Sequence, residues 1–150
     1  MIRIIILSSL LFISGGNLFP QNKTNNVVDV NVSSVPDSIN KNIFTVLINL
    51  NIKDGWHINS NKPLDDYLTP TFVKLKDSSG IKILSIDYPQ EIISKLQFSE
   101  SELSLYEGNV SIKIIVEAAE KKADFDLQYQ SCNNQTCLFP VVKTLTVDLH

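Results

Sequence analysis

From about residue 42 onward, apolar and polar positions alternate with a period of two. In "NIFTVLINLNI" (42–52), Phe44, Val46, Ile48, Leu50 and Ile52 share one face; Ile43, Thr45, Leu47, Asn49 and Asn51 share the other. Successive side chains of a strand point to opposite sides, so this pattern predicts a strand with one buried face and one partly buried face. "KDG" (53–55) signals a turn, and "WHIN" resumes as a short strand. "TPTFVKLK" starts a strand after Pro70, and "IKILSIDYP" follows the turn "DSSG". The second half repeats the pattern. Ile112, Ile114 and Val116 align in 111–118, Phe125, Leu127 and Tyr129 in 123–129, and Leu145, Val147 and Leu149 in 143–149. Seven to nine short strands, frequent turns and almost no helical periodicity predict an all-β sandwich. Only 88–108, with its mixed pattern, does not fit, and it reads as a long connection of the kind that often carries function.

The first twenty residues follow a different rule. Arg3 precedes an apolar run from Ile4 to Ile13, broken by Ser8 and Ser9, and the small residues Ser14, Gly15 and Gly16 come next. That order is the one of a secretory signal peptide. The run is about half of the ~20 residues needed to span a bilayer. The expected organisation is a signal peptide over 1–20 and one domain over 21–150, exported and without stable membrane insertion after cleavage.

Composition narrows the function classes. A chain of 150 residues suits one domain, and 43% hydrophobic residues with seven Phe, four Tyr and one Trp suffice for a core. The net charge of −3, with a single Arg, offers no basic face for nucleic acid. Cys132, Cys137, His57 and His150 make a poor zinc signal, so neither metal nor other cofactor is expected. No G-x-S-x-G elbow supports hydrolase chemistry around His57, which reads as a strand residue beside Trp56.

Cys132 and Cys137, the only cysteines, stand in "YQSCNNQTCLFP" (129–140) between two predicted strands. Those strands would form a hairpin with both sulfurs at its tip. Export favours a disulfide between them. It would close a ring of six residues, worth roughly 2 kcal/mol at most by chain entropy. An accessible short-range pair suits exchange with a partner, yet small structural rings also occur in exported domains. Spacing alone leaves staple and redox couple open. No Lys, Arg or His lies within five residues of either cysteine, so nothing local lowers a thiol pKa.

The same segment resembles the active-site segment of the amino-terminal domain of DsbD, the bacterial membrane thiol:disulfide reductase. Tyr129, Gln130, Cys132, Cys137 and Pro140 match its motif, while Phe139 stands where a first proline is usual. "IKDGWHIN" (52–59), with Trp56, is similar to the family's strand–turn–strand. "LQFSESELSLYEGNVSIKI" (96–114) is similar to its cap segment, which leads through Tyr106 into the next strand. The resemblance covers roughly 27–149 and implies an immunoglobulin-like β-sandwich. It implies Cys132 and Cys137 as the exchanging pair, Cys137 as the sulfur that meets partners, and Phe98 as an aromatic cap over them. It further implies a periplasmic protein-disulfide oxidoreductase role, relaying electrons between a membrane thiol:disulfide reductase and thioredoxin-like proteins. Because the sequence reaches only His150, donor and acceptor are expected to be separate proteins. The rival expectation is a non-enzymatic binding domain with a structural disulfide.

Overall fold

The computed structural model describes residues 26–77 and 80–150. The expected signal peptide lies outside the described residues. Among them there is no helix, and therefore none long and apolar enough to cross a membrane.

One layer is a four-stranded antiparallel sheet. It contains β1 (Val28–Pro36), β2 (Ile43–Ile52), β5 (Ile81–Asp87) and β8 (Asn109–Ala118), in the order β1-β2-β8-β5. The alternation in 42–52 and 111–118 is realised residue by residue. Phe44, Val46, Ile48, Leu50 and Ile52 are buried, as are Ile112, Ile114 and Val116.

The facing layer consists of two sheets. β4 (Phe72–Leu75), β9 (Lys122–Tyr129) and β11 (Val141–Asp148) form one, in the order β11-β9-β4. β3 (His57–Asn59), β6 (Ile92–Ser94), β7 (Leu103–Tyr106) and β10 (Ser131–Cys132) form the other, in the order β10-β3-β7-β6. They join where the chain of β9 runs through Gln130 into β10. The main core fills the space between the layers and includes Ile48, Ile58, Tyr106, Ile114, Phe125, Leu127 and Tyr129. A fully buried Ile, Leu or Phe stabilises by about 1.5–3 kcal/mol. A few such side chains outweigh a six-residue disulfide ring, which is worth roughly 2 kcal/mol at most.

The segment 88–108 is not one long connection, since it contains β6 and β7. All four residues of β7 are buried. Leu103 and Leu105 face a second cluster, and Tyr106 faces the main core. A strand covered on both sides loses the polar–apolar contrast that reveals strands in sequence. β6 and β10 are only three and two residues long and give no periodicity to read.

Candidate functional site

The predicted hairpin forms: β9 and β11 pair antiparallel from Tyr129↔Val141 to Lys122↔Asp148. Its end, however, does not project with both sulfurs exposed. After Gln130 the chain leaves β9's sheet and β10 pairs with β3, placing Ser131 opposite Ile58 and Cys132 opposite His57. Cys132 is thereby fully buried, in a cluster with Leu96, Leu103 and Leu105. Leu68, Ile92 and Cys137 pack around that cluster. Cys137 is half-buried. The two are disulfide-bonded, with Cα atoms 4.0 Å apart, and also form an antiparallel bridge. Only one sulfur therefore approaches the surface, because strand pairing with β3 draws the other inward.

Local hydrogen bonds shape the ring. The Asn133 side-chain oxygen accepts from the amides of Gln135 and Thr136 at 2.8 and 2.9 Å, closing an Asx-type turn. The Asn133 amide donates to the Thr136 carbonyl at 2.9 Å, and the Leu138 amide to the Ser131 carbonyl at 2.8 Å. Gln130 ties this loop to its surroundings. Its Oε1 accepts from Asn59 Nδ2 at 3.1 Å and from the Thr69 amide at 3.0 Å, and its Nε2 donates to the Leu138 carbonyl at 3.2 Å.

The residues that the resemblance implied divide between two faces. Cys132, Cys137 and Gln130 converge on the disulfide, and Pro140 lines an open depression there with Gln130, Cys137, Leu138 and Phe139. Phe139 is 93% exposed, so an aromatic ring stands in solvent two residues from Cys137. Phe98 lies in the turn between β6 and β7, two residues from Leu96 of the disulfide cluster, and is 39% exposed. Tyr129, Tyr106 and Trp56 belong to the main core instead. Tyr106 Oη donates to Asn61 Oδ1 at 2.6 Å and accepts from the Asn61 amide at 3.2 Å, whereas Tyr129 Oη is buried without a partner among the described residues. Burial raises the pKa of both phenols; for Tyr129 the nearby Asp29 adds to it.

Two neighbours of the disulfide carry no signal in local sequence. His57 lies opposite Cys132, and its Nε2 is 3.2 Å from Glu107 Oε2. Glu107 is held there by the turn after β7, where Gly108 adopts a φ of +63°, a region that favours glycine. The alternation around Ile58 could place His57 on the face of Asn59, but only strand pairing across some seventy-five positions brings it to Cys132. Among the described residues no group of three or more His, Cys, Asp or Glu could hold a metal ion.

No curated protein sequence matches the chain significantly. Among solved structures, the N-terminal periplasmic domain of ScsB from Proteus mirabilis superposes with a TM-score of 0.65 at 15% identity, over 83% of this chain and 47% of that one. The chain thus spans about half the length of that protein's structure. The reduced DsbD N-terminal domain of Neisseria meningitidis gives 0.60 at 15% identity, over 87% of this chain and 90% of that one. A complex of the DsbD and PilB N-terminal domains from the same organism gives 0.55 at 14% identity, over 87% of each chain. These likenesses establish a shared immunoglobulin-like sandwich. The family described as "Thiol:disulfide interchange protein DsbD, N-terminal" matches residues 24–149, almost all of the described domain and the whole cysteine segment, and the chain belongs to that family.

Proposed function

We propose that this domain is an exported thiol–disulfide exchange module. It relays electrons between a membrane thiol:disulfide reductase and thioredoxin-like periplasmic proteins through Cys132 and Cys137. The observation that carries the reading is the asymmetry of the pair: Cys137 is half-buried beside the exposed Phe139, and Cys132 is fully buried. A partner thiolate attacks Cys137 Sγ, the S–S bond breaks, and Cys132 leaves with the electron pair. The partner's second thiolate then displaces Cys137 and leaves the partner oxidised and this domain reduced. In the reverse flow Cys137 attacks a partner disulfide, and Cys132 attacks Cys137 Sγ, re-forming the ring and releasing the partner reduced. The ring holds the two sulfurs together, so their effective concentration is high and the mixed disulfide is short-lived.

The family supports this chemistry, and the fold is that of a DsbD domain seen in complex with PilB. Export is supported by the Arg3, Ile4–Ile13 and Ser14–Gly16 pattern and by the periplasmic ScsB relative. In this reading residues 1–20 are removed. Intact mass of the protein in the periplasmic fraction tests that step; a full-length mass in soluble cytosol contradicts it. In the same reading, Phe98 covers the pair until a partner displaces it.

A structural disulfide is the second reading, favoured by the packing of Cys132 among three buried leucines. The reduction potential separates the two. Equilibration with glutathione buffers should place a working pair above about −300 mV, and a value below about −300 mV supports the staple.

A further inference from the structure

Cys132, His57 and Glu107 lie in one row across three adjacent strands or their ends. Cys132 pairs with His57 in register, and His57 reaches Glu107 at 3.2 Å. Directly opposed residues of an antiparallel pair project to the same face with Cβ atoms about 4.5–5.5 Å apart. The face is established independently: Ile58, between His57 and Asn59, is in the main core, while Cys132 and Leu105 are in the disulfide cluster. At 3.2 Å from Glu107 Oε2, Nε2 is placed to donate its proton to the carboxylate, an arrangement that makes Nδ1 the lone-pair atom of a neutral ring. That Nδ1 is buried and has no hydrogen-bond partner among the described residues, and the side chain as a whole is 14% exposed. A polar atom kept out of water without a partner costs free energy. Opening the disulfide would place on the opposite strand a sulfur able to exchange a proton with this face.

The geometry points to His57 as the acid–base partner of Cys132, with Glu107 as the residue that positions it. This deepens the exchange reading and rests on it. During reduction the partner's thiolate forms a bond to Cys137 Sγ, the Cys132–Cys137 bond breaks, and the departing Cys132 sulfur takes the proton from the His57 imidazolium. Two electrons enter from the partner's thiol, and the proton ends on Cys132. In the reverse direction neutral His57 removes the Cys132 proton, and the resulting thiolate attacks the mixed disulfide. The row supplies the proton-handling group that sequence near the cysteines lacks. Cys132 from β10 and Glu107 from the turn after β7 face His57, and the leucines and Ile92 that pack with Cys132 do not ionise. Lys53 and Asp54, before it on its own segment, are exposed turn residues.

The test is reduction of the oxidised protein by dithiothreitol between about pH 5 and 8, the interval in which imidazole changes charge. Acid quenching, alkylation and intact mass follow the reaction, and rates are divided by the dithiothreitol thiolate concentration. The wild-type corrected rate should fall as pH rises, because the imidazolium that protonates Cys132 is lost. His57→Gln should be slower at the acid end by on the order of tenfold and independent of pH; this is less than positioned acids usually give, because a thiolate also leaves unaided. Glu107→Gln keeps the ring but removes the carboxylate that positions it, so the corrected rate at the acid end should fall toward that of His57→Gln. A wild-type corrected rate without pH dependence overturns the proposal, and so does a His57→Gln profile identical to wild type. If His57→Gln does not fold, the exposed Glu107→Gln decides alone, and an unchanged profile overturns the proposal. The dithiothreitol reaction needs no natural partner. A potential in the structural range therefore removes the relay reading by itself, and the His57 result remains separately readable.

Discussion

Replacing Gln130 by Ala removes the side chain that links the cysteine loop to two other segments. Three hydrogen bonds are lost: those accepted from Asn59 Nδ2 and the Thr69 amide, and the one donated to the Leu138 carbonyl. Each is worth about 1 kcal/mol net, which sets an upper figure of roughly 3 kcal/mol. Two effects reduce it. Asn59 Nδ2 keeps its bond to the Thr69 carbonyl at 3.0 Å, and Thr69 and Leu138 are half-buried, so water replaces part of what is lost. The expected cost is about 2 kcal/mol, or a fall in melting temperature of roughly 6 °C for a domain of this size. Gln130→Glu keeps the acceptor oxygens but loses the donor, turning an oxygen toward the Leu138 carbonyl. It should fall between Ala and wild type. Urea unfolding of the oxidised proteins, with wild type alongside, measures all three. The Ala variant should also be reduced faster by dithiothreitol, because Leu138, next to Cys137, keeps its amide bond to Ser131 but loses the donor to its carbonyl. A loss below about 0.5 kcal/mol together with an unchanged reduction rate refutes the idea that Gln130 braces the site.

Phe98→Ala should speed reduction by dithiothreitol with little loss of stability, since the ring lies in a turn and is 39% exposed; an unchanged rate removes the cap. The two buried tyrosines should respond differently to loss of the hydroxyl. Tyr106→Phe should cost about 1 kcal/mol because its bond to Asn61 is lost, while Tyr129→Phe should be neutral or stabilising, because its Oη has no partner among the described residues. Thermal melts compare them, and equal losses contradict the assignment. Burial raises the phenol pKa values of Tyr88, Tyr106 and Tyr129 above the ordinary 10.0. Folding therefore favours the protonated form, and the stability this adds is complete below pH 10 and lost as pH rises through the raised values. Stability measured from pH 8 upward should decline once pH exceeds about 10; a flat profile contradicts it.

The parts of this fold that sequence reveals are those with one wet face and one dry face. β2, β8, β9 and β11 alternate cleanly because each lies between solvent and core. β7 escapes because it is buried on both faces, and β6 and β10 are too short to show a period. The cysteine pair and its hairpin were legible from spacing and from the family motif. The unequal burial of the two sulfurs was not, because it results from β10 pairing with β3, a contact between residues far apart in sequence. His57 illustrates the same limit. No Lys, Arg or His lies within five residues of either cysteine, and the imidazole opposite Cys132 arrives from another strand.

The exchange reading is tested most directly by trapping its covalent intermediate. Only Cys132 and Cys137 can form one, because the chain has no other thiol. Full-length protein carrying Cys132→Ala or Cys137→Ala is expressed in cells that contain a membrane thiol:disulfide reductase and thioredoxin-like periplasmic proteins. Non-reducing gels, with mass spectrometry of shifted bands, then identify what is bound. With Cys132 absent, nothing resolves the mixed disulfide at the half-buried Cys137, so an adduct with one of these partners should accumulate. Cys137→Ala should trap much less, because Cys132 is fully buried. No specific adduct from either variant, with only the roughly 2 kcal/mol loss of stability due to the missing ring, would contradict the account and leave the disulfide as a staple.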